Sequence, residues 1–220
     1  GFGTYLPVQT VAYGKETRYR VSNDETQLSM AIAASTAALD SAGLKIEDVD
    51  CIVSASAVGI QPIPCTAALI HEKLALGTQI PALDINTTCT SFISALDTMS
   101  YLVDQGRYDT VLIVSSEVGS LGLNPKQRES YELFSDGAAA ILLSKTESKT
   151  QGVLASMQRT WSEGAHATEI RGGLTNLPPW KYHEKNKQDF LFDMSGRSVL
   201  RIAAERLPEM VKDFQEQYGI

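Results

Sequence analysis

Cys89 is the residue whose setting invites chemistry. It stands between a short apolar run, Pro81-Ala-Leu-Asp-Ile-Asn86, and an amphipathic stretch from Phe92 to Gln105. That spacing places a thiol at a strand-to-helix turn, where unpaired backbone N–H groups and the positive end of a helix dipole would stabilise a thiolate. Free cysteine also packs commonly as a small buried apolar side chain, so the neighbours decide. Thr87, Thr88, Thr90 and Ser91 are small and hydroxylic and leave room for a substrate. Phe92, Ile93, Leu96, Met99, Leu102 and Val103 recur at helical spacing and would bury the helix. The pattern is that of a central helix with an open N-terminus carrying a nucleophile.

Other reactive side chains are sparse. Cys51, Cys65 and Cys89 are odd in number and widely spaced, with no C-x-x-C pair, so they read as free thiols and no metal site is expected. Cys51 reads as strand core and Cys65 as a helix residue beneath the site, which leaves Cys89 as the expected rapidly alkylated thiol. His71 falls on a helix after Pro64, and His166 and His183 fall in a polar excursion from Trp161 to Asp189. All three read as surface or loop histidines rather than as a base for Cys89.

The elements that must position Cys89 alternate along the chain. Asp24 reads as the N-cap of a helix carrying Leu28, Ile32, Ala33, Thr36 and Leu39, stopped by Gly43. Val49 to Val53 reads as a strand, Pro64 to Leu76 as a helix closed by Gly77, and Ala82 to Ile85 as a strand. Thr110 to Ser115 is an unbroken apolar strand after the Gly106 stop. Repeated β-α-β makes a parallel sheet with helices on its faces the default, with the site at strand C-termini. Asp136-Gly137 before Ala138 to Leu143 reads as a turn into a strand. The excursion, with Gly172-Gly173 and Pro178-Pro179, is long enough to be functional or mobile.

Composition sets the frame: 220 residues, 43% hydrophobic and 20% charged, suit an ordinary globular α/β protein with one substantial core. A formal net charge of −7 argues against nucleic-acid binding, and no apolar run spans a membrane, so a cytoplasmic protein is expected. The chain starts at Gly1 inside a strand pattern and ends on a helix whose apolar face, Val199 to Phe214, lacks chain to cover it. It reads as trimmed at both ends. The expected division is 1–150, holding the nucleophile, and 151–220, holding a connecting strand, the excursion and the first helix of a second half.

The motifs G-F-G-T-Y-L-P at 1–7, N-T-T-C-T-S-F at 86–92, V-S-S-E-V at 114–118, F-S-D-G-A-A-A at 134–140 and M-S-G-R-S-V-L at 194–200 occur in one order over nearly the whole chain. In them the chain resembles the thiolase-fold condensing enzymes, specifically β-ketoacyl-ACP synthase III. The resemblance implies a layered αβαβα fold of two similar halves with mixed sheets, of which this chain would match the first half and the opening helix of the second. It implies an acyltransferase that joins an acyl thioester to malonyl-ACP by decarboxylative Claisen condensation through an acyl-Cys intermediate. Acyl-CoA or the phosphopantetheine of ACP would be the substrates, with no permanently bound cofactor. The acyl carrier protein would be a partner and a homodimer the assembly, its subunits pairing edge-to-edge through the strand Thr110 to Val118. A starter-unit or ketone-forming condensing enzyme would share these motifs, and a non-catalytic partner subunit is a further alternative.

Site residues follow from the same resemblance. Cys89 matches the catalytic nucleophile, while the family's His and Asn lie beyond the segment resembling Met194 to Ile220. Substrate-binding positions are Phe134, lining the acyl channel; Ile63, reaching across the dimer interface; Arg128, against the CoA adenine; and Met194 and Gly196. Arg197 and Arg201, four apart on one helix face, match the carrier-protein docking surface. Departures are Val8 to Val21, short and without the tryptophan that CoA-primed members place there, and Ser91, where many have glycine. The first leaves the primer's carrier open. The second puts a hydroxymethyl near the pocket mouth.

Overall fold

Only glycine at position 3 lets strand β1 (Phe2–Tyr5) lie directly on helix α1 (Gln27–Ala42), because a Cβ there would collide with the backbone of Ala34 and Ala38. The computed structural model describes residues 1–148 and 150–219. They form two compact units, Gly1–Val118 with Ser135–Leu154, and Gly119–Phe134 with Ala155–Ile220.

In the first unit β1 is followed by a hairpin, β2 (Gln9–Tyr13) and β3 (Glu16–Arg20), absent from the sequence reading. Its strands are largely exposed and carry little apolar alternation, so they leave no periodic signal. Buried Asp136 ties it down, since its carboxylate accepts the Val21 N–H and its own N–H donates to the Tyr19 carbonyl. Helix α1 is capped by Thr26 rather than Asp24. The backbone of Thr26 is extended, its hydroxyl accepts the Ser29 N–H, and Ser29 Oγ returns the favour to the Thr26 N–H. Gly43, at φ 66°, ends the helix as expected.

Then come β4 (Cys51–Ser54), α2 (Thr66–Leu74), β5 (Ala82–Asp84), α3 (Ser91–Asp104), β6 (Thr110–Glu117) and β7 (Gly137–Ser144). The five-stranded sheet has the order β1-β7-β6-β4-β5. The β4–β5 and β4–β6 pairs are parallel, whereas β6–β7 and β1–β7 are antiparallel. The all-parallel default is therefore corrected to a mixed sheet: Glu117 pairs with Gly137, so the chain leaves and re-enters at the same end with no crossover helix.

Alternate residues of the strands face two cores. Ile52, Leu112, Val114 and Ala140 pack with Met30, Ala34 and Ala38 of α1. Cys51, Val53, Val111 and Ile113 pack with Ala95, Met99 and Val103 of α3. Each large aliphatic side chain buried this way gains about 1.5–3 kcal/mol.

The second unit holds a short helix α4 (Arg128–Tyr131), an antiparallel pair β8 (Thr168–Glu169) and β9 (Asp193–Met194), and α5 (Gly196–Tyr218). Gln127 organises it: its amide donates to the Met194 carbonyl and Asp193 Oδ1, and its Oε1 accepts the Met194 N–H. Arg171 bridges Glu169, Asp189 and Asp193. The apolar face expected on α5 is present but none of its residues is buried, and Leu200, Leu207 and Val211 are exposed.

Candidate active site

Cys89 lies in a 3₁₀ turn, Thr88–Thr90, one step ahead of α3 and just beyond edge strand β5. The thiol is exposed. Neither the turn nor α3 has a side-chain N-cap, and the first turn of each carries no acidic residue, so no first-turn carboxylate offsets the positive end of the 14-residue helix that follows Cys89. Thr88, immediately before the cysteine, has φ 55°, the one positive φ outside glycine among the described residues. For a β-branched residue this is a strained conformation.

Hydroxyl and amide groups knit the turn. Asn86 Oδ1 accepts the Thr88 N–H at 2.9 Å, and Asn86 Nδ2 donates to the Ala57 carbonyl at 2.9 Å. Ser91 is 1% exposed. Its Oγ accepts the Thr87 N–H at 3.0 Å, and its proton goes to the Thr88 carbonyl at 2.6 Å, with the Ser56 carbonyl also in reach at 3.3 Å. The Ser91 hydroxymethyl therefore points into the protein and not to a pocket mouth, a correction to the sequence reading. Glu117, at the end of β6, accepts the Ala57 N–H at 2.5 Å; burial pushes its carboxyl above the usual range, against the pull of that bond.

The remaining expected residues are distributed as follows. Ile63 is 84% exposed in the loop before α2. Cys65, expected beneath the site, is instead exposed at the N-cap of α2, because Asp84 caps that helix by accepting the Thr66 and Ala67 N–H groups at 2.9 and 2.7 Å. His71 Nε2 contacts Thr78 Oγ1, and His166 pairs with Glu169. His183 is exposed.

In the second unit Phe134 stacks edge-on against Phe192 with centroids 5.3 Å apart, and Arg128 pairs with Glu132 at 2.6 Å. Met194 is held through its backbone by Gln127, and at Gly196 a Cβ would press on the Glu129 carboxylate. Arg197 and Arg201 are exposed on α5. Strand β6, expected at a sheet edge, is flanked by β7 and β4, so the open edge next to Cys89 is β5. A cleft of about 380 Å³ is lined by Thr4, Leu6, Ser115 and Gly137 to Ala139. By register it lies on the sheet face that α3 covers in part, since Ser115 follows Ile113 by two residues and its pairing partner Ala139 precedes Ile141 by two. Asn86 and Glu117 escaped the sequence reading as site-shaping residues, and Ser91 entered it only as a substituent at the pocket mouth, since a lone polar residue carries no periodic pattern.

The family model for 3-oxoacyl-[acyl-carrier-protein] synthase III matches residues 83–161, the segment that contains Cys89. A β-ketoacyl-[acyl-carrier-protein] synthase III of Clostridium perfringens strain SM101 is 32% identical over 207 residues, covering 94% of this chain and 62% of the relative. The chain is similar in sequence to the synthase III-like condensing enzymes and shares their thiolase-like fold. An acetoacetyl-CoA synthase of Streptomyces sp. strain CL190 is also similar to this synthase III-like chain, at 31% over 217 residues with the same coverage. A synthase III structure from Thermus thermophilus superposes over 100% of the chain and 71% of its own, with TM-score 0.83 and 24% identity, and shares its fold. The synthase III-like chain thus spans about 62% of the length of the curated relatives it matches. Its expected α/β thiolase-like fold is borne out.

Proposed function

We propose that Cys89 is the acyl-accepting nucleophile of a decarboxylative condensation between an acyl thioester and malonyl-ACP. The observation that carries this reading is an exposed thiol on a strained turn at an uncapped helix N-terminus, inside the segment that matches the synthase III family. The sulfur attacks the thioester carbonyl, a new C–S bond forms, and the CoA or pantetheine thiolate leaves. Malonyl-ACP loses CO₂, its enolate forms a C–C bond to the acyl carbon, and the Cys89 thiolate departs to give 3-oxoacyl-ACP. The histidine and asparagine that would donate hydrogen bonds to the thioester oxygen belong to length that the relatives have and this chain does not match. Relatives named as synthase III favour this reading over starter-unit, ketone-forming and partner-subunit alternatives.

The proposal extends to partners and place. Phe134, Ile63, Arg128, Met194 and Gly196 serve the acyl and carrier groups, Arg197 and Arg201 meet the acidic carrier protein, and the enzyme works in the cytoplasm as a homodimer. No helix among the described residues is long and apolar enough to cross a membrane. The dimer uses edge strand β5. Asp84 on that strand holds the start of α2, which places the Ile63 loop beside the same edge.

Incubating the whole protein with an acyl-CoA and malonyl-ACP, and following the carrier by intact mass, tests the reaction. A 3-oxoacyl-ACP that disappears in Cys89→Ala supports it. Product of equal yield from Cys89→Ala refutes it.

A further inference from the structure

Thr88 sits in a conformation that its β-branched side chain resists, directly before the reactive cysteine, and both peptide planes flanking it are gripped from outside. Its N–H is held by Asn86 Oδ1, and Asn86 is itself anchored on the Ala57 carbonyl. Its carbonyl accepts the Ser91 hydroxyl, and the same oxygen of Ser91 takes the N–H of Thr87. The Thr87 carbonyl is gripped in turn by the hydroxyls of Thr88 and Thr90 at 2.8 and 2.9 Å. Strained φ values persist only where the surroundings over-determine them, and here the determining groups can be named. Ser91 closes the network because it is buried and contacts three backbone groups from two chain segments, the turn itself and Ser56.

We propose that Ser91, with Asn86, is a positioning residue for Cys89: its buried hydroxyl holds Thr88 at positive φ and so fixes where the thiol is presented. This rests on Cys89 being the nucleophile. Without the Ser91 hydroxyl, Thr88 relaxes toward ordinary backbone angles, the turn carries Cys89 away from the helix N-terminus, and the sulfur loses reactivity. A glycine at position 88 adopts φ 55° without strain and makes the grip dispensable.

The test is the second-order rate of Cys89 alkylation by iodoacetamide in the intact chain, mapped by peptide mass spectrometry, with Cys65 read in the same sample as an internal control. Ser91→Ala slows Cys89 by roughly tenfold, the consequence of losing one well-made hydrogen bond that holds the turn. The Cys65 rate stays within about twofold, the scale of context-dependent variation in a single hydrogen bond. The double variant Ser91→Ala with Thr88→Gly recovers most of the lost rate, which a merely structural hydroxyl would not allow. The proposal is overturned if Ser91→Ala leaves Cys89 unchanged, if Cys65 changes in parallel, or if Thr88→Gly gives no recovery. The readout is a variant-to-parent ratio of alkylation rates and involves no acyl substrate. Failure of the acyl-transfer reading therefore shows separately, as a missing acyl adduct.

Discussion

Cys51 lies wholly inside the sheet, where burial pushes its thiol up and keeps reagent out, whereas Cys65 and Cys89 are both exposed. What separates those two is the charge at their helix starts. Asp84 occupies the first N–H groups of α2 and sets a carboxylate beside Cys65, while α3, which follows Cys89, has an uncapped N-terminus. Iodoacetamide should therefore modify Cys89 first, Cys65 more slowly and Cys51 only on unfolding, with the order read by peptide mapping over time. Glu25 offers a second residue-scale prediction. Its carboxylate accepts from Tyr5 Oη at 2.6 Å and from the N–H groups of Ser22 and Val8, and these bonds lower its pKa from 4.5 to about 2. The unfolded chain takes up that proton first on acidification, so the stabilisation is present above about pH 4.5 and lost as pH falls toward 2. The melting-temperature gap between wild type and Glu25→Gln should be largest near neutrality and close over that window. Cys89 was legible in the sequence because it ends a strand pattern and opens a helix pattern. Ser91 and Asn86 were not, because their work depends on Ser56 and Ala57, some thirty residues away.

Elements with a strong period were legible and elements without one were not. The unbroken run of β6 and the glycine stops at Gly43 and Gly106 appear where the pattern puts them. Of the apolar stripe read on α3, Met99 and Val103 are buried, Phe92 and Leu96 half-buried, and Ile93 and Leu102 exposed, their places on the buried face being taken by the small residues Ser91, Ser94 and Ala95. The hairpin of β2 and β3 carries no such stripe, and the direction of β7 depends on a connection whose path no local pattern encodes. The small-residue face of α1 against Gly3 likewise becomes visible only once β1 is laid on it. Gly3→Ala should lower stability by about 1–3 kcal/mol, the range for overpacking a filled interior, measured by chemical denaturation; an unchanged midpoint would contradict the close β1–α1 contact. Removing the α2 cap with Asp84→Ala should cost about 1 kcal/mol, and it should also speed alkylation of Cys65 by removing the adjacent carboxylate. A Cys65 rate that falls would contradict the assignment of that cap.

The two units differ in what holds them. The first is a sheet with an apolar core on each face, and the second is an irregular segment pinned by Gln127 and Arg171 together with a helix none of whose residues is buried. The fold class was legible because five motifs in order point to one family. The edge strand was not, because order within a sheet is a property of the whole assembly: β6 lies inside the sheet and β5 at its edge. Sedimentation of the whole protein at micromolar concentration should give a dimer, and a monomer would remove the role proposed for Ile63. The central claim, that Cys89 carries the acyl group, is tested most directly by incubating the protein with acyl-CoA and, separately, acyl-ACP, then digesting it and mapping the adduct by mass. The account predicts one acyl group on the peptide containing Cys89, released by hydroxylamine and absent from Cys89→Ala. An acyl group on Cys65 instead, or no adduct from either carrier, would contradict it.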